Sequence, residues 1–210
     1  EQAGYMAGDL SVVAGRDIIF DADITANEDG LVQIGHGGYY ATITASYPAT
    51  VTGTIDVIAQ TGSISFTASA TDAYTDGFAQ IGHNLYVGNI DAAIVVSASQ
   101  NISFAAGSGM YSPASIGHGA RHTFDDGNLR GAIRVTTDNG DIIFNGGSDI
   151  DSHAIIGYIG QGEGVMEGDI QVTSGGDIDF TSGSFVDTFT HIGHAAPQLS
   201  EVLNGNITVM

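Results

Sequence analysis

The chain has no cysteine, no tryptophan and no lysine. Without thiols there is no disulfide framework, no thiolate metal centre and no thioether-bound haem. The only strong bases are Arg16, Arg121, Arg130 and Arg134, set against 24 Asp and Glu, for a formal net charge of −20. Such a surface repels nucleic acid and anionic membranes, so neither is an expected partner. Charged residues of both signs make up only 13%, about half the usual share. No apolar run approaches the ~18 residues that a membrane-spanning helix needs, and no membrane insertion is expected. Nor does any apolar stripe recur at 3.6 residues between helix caps.

What is present is 42% hydrophobic residues and 31 glycines in 210 residues. That excludes a disordered polar tract and suffices for a single domain, 1–210, with its own core. The chain opens on Glu1 rather than Met, which suggests a removed leader or a piece of a longer protein.

Internal repetition dominates. The segments Gln33-Ile34-Gly35-His36, Gln80-Ile81-Gly82-His83, Ser115-Ile116-Gly117-His118, Ile155-Ile156-Gly157-Tyr158 and His191-Ile192-Gly193-His194 are versions of one motif. Their isoleucines are 47, 35, 40 and 36 residues apart, a period that means a solenoid, a propeller or an array. Each copy follows two shorter signatures. The first is apolar-x-Val, at Leu10/Val12, Ile55/Val57, Ile94/Val96, Ile133/Val135 and Ile170/Val172, with a sixth copy at Ile207/Val209. The second is Ile-x-Phe, at Ile18/Phe20, Ile64/Phe66, Ile102/Phe104, Ile142/Phe144 and Ile178/Phe180. Alternation over three residues is the period of a half-buried strand, with the recurring Ile, Val and Phe inward and the freely varying middle residue outward.

Small residues stand two positions after each Val and each Phe, and Gly-Asp pairs mark the corners between strands. Glycine supplies a positive φ, and Asp is expected to bond its own local backbone. The reading is all-β: a parallel β-helix of about five coils with three strands each. Like residues would stack in columns at ~4.8 Å, giving a rod about 24 Å tall. A propeller is the rival, but a blade needs four strands and three are legible per repeat. Length variation falls in loops, one of which carries Tyr39, Tyr40 and Tyr47, a candidate glycan-stacking surface.

The pattern Gly-Asp-Ile-x-Val-x-Ser-x-Gly-Asp-Ile-x-Phe continuing to Ile-Gly-His, clearest over Gly168 to His194, resembles the repeats of filamentous-haemagglutinin-like exoproteins and autotransporter passengers. That resemblance implies a right-handed β-helix acting as an extracellular surface fibre or adhesin. The chain departs from the pattern at Tyr158 and at Ala92-Ala93.

Three chemistries deserve weighing against this structural reading. The column His36, His83, His118, Tyr158 and His194 offers imidazoles to a transition metal. The tyrosine interrupts it, and the repeat alone explains the recurrence, so a structural turn is the expectation. Corner aspartates suit loose Ca²⁺ binding, but the tandem Ca²⁺-binding nonapeptide is missing, and no resident cofactor is expected. Polygalacturonases, also β-helices, combine clustered Asp with Gly-His-Gly and Arg-Ile-Lys. Here His118 lies in Gly-His-Gly, with Asp125, Asp126, Arg121 and Arg130 nearby, yet the Lys-bearing motif cannot exist. The expectation is no enzyme.

The ends remain. A β-helix exposes unpaired strand edges, and soluble solenoids cap them. No capping helix is legible, and both ends carry an apolar-x-Val strand, Leu10/Val12 and Ile207/Val209. The expected partner is therefore a further copy of the chain, stacked head to tail, with glycans or a neighbouring cell surface as the alternative.

Overall fold

The computed structural model describes residues 5–22, 31–36, 49–68, 77–85, 88–119, 127–160, 164–185, 188–195 and 202–210. Among them there is no helix; the chain forms a parallel β-solenoid with three sheets. The first sheet collects the apolar-x-Val strands. Its members are β1 (Tyr5–Ala7), β2 (Leu10–Ala14), β5 (Ala49–Ala59), β8 (Gly88–Ala98), β11 (Leu129–Arg130), β12 (Ile133–Thr137), β15 (Val165–Glu167), β16 (Ile170–Thr173), β19 (Val202–Asn204) and β20 (Ile207–Val209). The second collects the Ile-x-Phe strands β3 (Ile18–Asp21), β6 (Ile64–Thr67), β9 (Ile102–Ala105), β13 (Ile142–Asn145) and β17 (Ile178–Thr181). The third holds β4 (Leu31–Ile34), β7 (Phe78–Ile81), β10 (Ala114–Ile116), β14 (Ala154–Ile156) and β18 (Thr190–Ile192).

Strand pairing is parallel and joins like to like. Phe20, Phe66, Phe104, Phe144 and Phe180 are successive register partners. So are Ile34, Ile81, Ile116, Ile156 and Ile192, and Leu10, Ile55, Ile94, Ile133, Ile170 and Ile207. A propeller, whose blades do not pair with one another in this way, is thereby excluded.

Two expectations need correction. Five equal coils of three strands do not occur: the first sheet has six levels where the other two have five strands each. The first sheet also contains an extra strand per level, β1, β11, β15 and β19, which in β5 and β8 runs on unbroken into the next. Its inward column is Met6, Val51, Ile90, Leu129, Met166 and Leu203, register partners throughout. Each of these stands four residues before its apolar-x-Val signature, so the signal was present. The position between the two is Gly8, Gly53, Ala92, Gly131, Gly168 or Gly205, and without a large apolar side chain there the alternation is not legible.

The core fills with these columns. Phe66, Phe104 and Phe144 are fully buried, and the phenyl rings stack from end to end at 4.7, 5.3, 5.8 and 5.0 Å. Deleting a buried ring removes its transfer energy, leaves a cavity and breaks two stacking contacts. Phe104→Ala is expected to cost about 3–5 kcal/mol in urea unfolding. A loss below ~1 kcal/mol would show that neighbouring levels close the gap.

Corner aspartates also act differently from expectation. Asp9 Oδ1 accepts from the Thr54 N–H at 2.8 Å, and Asp17 Oδ1 from the Ser63 N–H at 2.8 Å. Asn101 and Asp141 do the same for Asp141 and Asp177, each at 2.9 Å. Every one of these bonds reaches the next level rather than the residue's own turn. The reason is geometric: at a corner the next level's N–H points down the stack, one strand spacing away.

Candidate functional site

The repeated Ile-Gly-His puts one aromatic ring at the same place on each level. Ring centroids follow one another at 5.1 Å (His36–His83), 5.1 Å (His83–His118), 5.1 Å (His118–Tyr158) and 4.6 Å (Tyr158–His194). The middle three rings are fully buried. The structure therefore brings all five together in one ladder.

His118 and His194 each bridge two backbones, and His83 holds one. The His36 N–H donates to His83 Nδ1 at 2.9 Å, the His83 N–H to His118 Nδ1 at 3.0 Å, and the Tyr158 N–H to His194 Nδ1 at 3.2 Å. A ring nitrogen that accepts from a backbone N–H bears no proton, so the neutral ring carries it on Nε2. From there His118 donates to the Ala92 carbonyl at 2.8 Å, and His194 to the Gly168 carbonyl at 3.0 Å. Tyr158 places its hydroxyl on the Gly131 carbonyl. Ala92, Gly131 and Gly168 share one bend position on successive levels of the first sheet. The ladder thus ties levels together through Nδ1 at His83, His118 and His194, and ties the third sheet to the first through Nε2 of His118 and His194 and the hydroxyl of Tyr158. His83 Nε2 is the exception, buried without a partner.

Burial holds these rings neutral. The His83 pKa falls to about 3, chiefly through desolvation and then through the neighbouring His118 and His36. The His118 pKa falls to about 4, again through desolvation, partly offset by its bond to Ala92. His194 is lowered for the same reason.

For a transition metal the arrangement is poor chemistry, because the Nδ1 lone pairs of His83, His118 and His194 are already in use. Among the described residues no group of three or more His, Asp and Glu is placed to hold a metal ion. Arg130 pairs with Glu167 at 3.4 Å on the outer face of the first sheet. Arg121, Asp125 and Asp126 lie outside the described residues, as do Tyr39, Tyr40 and Tyr47.

Sequence reasoning did not reveal that the third sheet is buried on its outer face too. Gln80 and Ile155, which point away from the core column, are both buried. Gln80 Nε2 donates to the Gly117 and Gly119 carbonyls at 2.9 and 2.8 Å, a second bridge between levels. The glutamines at 33 and 80 were the available hint.

The two ends of the stack differ. At the first level Ile18 and Ile34 are only 6% and 7% exposed, and Leu10 and Val12 are half-buried. At the last, Phe180 is 44%, Ile207 53% and Val209 50% exposed. The inward columns are covered at one end and open at the other.

Comparison with known proteins finds no matching family model, curated protein or solved structure. The likeness to exoprotein repeats therefore rests on the motifs themselves.

Proposed function

We propose that the chain is a non-catalytic structural protein of an extracellular or cell-surface fibre, a right-handed solenoid whose coils continue end to end. The observation that supports this is the open last level, where Phe180, Ile207 and Val209 stop half-exposed in columns that are fully buried one or two levels earlier. An unpaired parallel edge with an apolar column beneath it is a template for another coil of the same kind. A heterologous contact of this type, repeated without closure, gives a filament. In this reading the buried columns and the imidazole ladder are the mechanism, since they make each coil the mould for the next.

Electron microscopy of the purified chain at neutral pH tests it, with filaments as the expected result. Deleting residues 206–210 removes the whole of β20, and filament mass is expected to fall at least tenfold. Undiminished fibres from the truncated chain would mean that growth does not use this edge.

A further inference from the structure

An Asn-Gly pair can rearrange without an enzyme, because glycine has no side chain to keep its backbone nitrogen away from the asparagine Cγ. The chain holds three such pairs, Asn139-Gly140, Asn145-Gly146 and Asn204-Gly205. The fold treats the first two in opposite ways. Asn145 ends β13 and is paired with Ala105 on one side and Thr181 on the other. The Gly146 N–H donates to the Thr181 carbonyl at 2.8 Å. That nitrogen is committed to the ladder, and the extended backbone at Asn145 cannot bring the carboxamide onto it without releasing a neighbouring strand.

Asn139 lies instead at the corner between β12 and β13, and it is exposed. This corner carries one residue more than those on either side. Thr137 to Ile142 is five positions, against four for Ala98 to Ile102 and four for Ser174 to Ile178. Gly140 is held through its carbonyl, which accepts from the Thr137 hydroxyl at 2.6 Å and from the Gly176 N–H at 3.0 Å. Its own N–H donates to no acceptor among the described residues. The corner therefore combines an exposed carboxamide, a glycine nitrogen outside the ladder, and a backbone with a residue to spare.

We propose that Asn139 is a self-modifying site, which deamidates through a cyclic imide to aspartate and isoaspartate. The Gly140 nitrogen gives its proton to hydroxide and bonds to Asn139 Cγ. The side-chain nitrogen takes a proton from water and leaves as ammonia. Water then opens the ring. Opening at Cγ gives aspartate, and opening at the main-chain carbonyl of residue 139 gives isoaspartate. The sum is one water taken up and one ammonia released. Both products loosen the third level from the fourth. Asn139 Nδ2 donates to the Ser99 carbonyl at 3.4 Å, whereas a carboxylate there can only accept. Isoaspartate also lengthens the main chain by one carbon, next to the Asn139 N–H that donates to the same carbonyl at 3.1 Å.

Peptide mapping of the purified, folded chain, held in warm, mildly alkaline buffer and sampled over time, tests this. Chymotryptic cleavage after Phe144 puts the two asparagines on separate peptides, and electron-transfer fragmentation tells isoaspartate from aspartate. In the folded chain Asn139 is expected to convert at least tenfold faster than Asn145. In denaturing urea the two are expected to convert at similar rates. The urea midpoint of the aged parent is expected to fall below that of an equally aged Asn139→Gln chain, whose longer side chain closes its ring far more slowly. Equal rates in the folded chain, or an Asn139 that outlasts Asn145, overturn the proposal. A tenfold contrast that persists in urea would trace it to neighbouring sequence and overturn the part given to the fold. Equal midpoints after Asn139 has converted would overturn the loosening.

Discussion

Gly117→Ala is expected to leave almost no folded protein. A Cβ at that position overlaps the carbonyl of Gly157 on the next level. The obstacle is backbone, and it is itself held, because Gly157 sits in the same way on Gly193, as Gly82 does on Gly117 and Gly35 on Gly82. One methyl group thus meets a column of five stacked turns, each locked by parallel ladders on both sides. Relief requires the levels of Gly117 and Gly157 to separate, which opens ladder bonds in all three sheets and the stacking of His118 on Tyr158. The cost belongs with the exceptional single substitutions, above ~4 kcal/mol. Gly15→Ala is the control, since nothing lies within 4 Å of a Cβ there. Soluble yield and the urea midpoint read the difference. A Gly117→Ala protein within ~1 kcal/mol of the parent would mean that the levels slide past one another far more easily than their bonding suggests.

Acid is expected to unfold the protein through the imidazole ladder. Protonated Nδ1 would point N–H at N–H, and the buried rings resist it: His83 to about pH 3, His118 to about pH 4. The unfolded chain takes up those protons near the ordinary histidine value of 6.5. Between the two values the unfolded state binds more protons than the folded one, so stability drops as pH falls. The full contribution is present above pH ~6.5, declines by about 1.4 kcal/mol per pH unit per ring, and levels off once the folded-state value is passed. For His118 alone this amounts to about 3 kcal/mol, with His83 adding a similar or larger loss. Urea midpoints measured between pH 7.5 and 5 isolate the effect, because ordinary carboxyls titrate nearer pH 4. His118→Tyr, which copies the natural occupant of the fourth level, should flatten the slope. An equal slope in that variant would place the acid sensitivity elsewhere.

Much of the fold is legible because the repeat spells it out in short words. Ile18/Phe20 and its four descendants show alternation and recurrence at once, and in-register stacking follows from their like spacing. Met6 and Val51 were harder to see, since a glycine bend separates each from its strand's better-marked half. The ladder was visible as a column of histidines, but its chemistry was not. His118 donates to Ala92, 26 residues back along the chain, and no spacing rule connects the two. The corner aspartates misled for a related reason. Local turn chemistry predicts a bond within the loop, while the stack supplies a nearer N–H from the level beyond.

Tyr158 has a consequence for a protein under load. Wherever a histidine occupies the ladder below another member, Nδ1 clasps the level above. A phenol has no such atom, so between the third and fourth levels His118 has stacking beneath it but no ring nitrogen to receive its N–H. Tyr158 is well anchored sideways, through its hydroxyl on Gly131, yet that bond resists shear between sheets rather than tension along the rod. Pulled from its two ends, the chain has a seam, and it should part first between His118 and Tyr158.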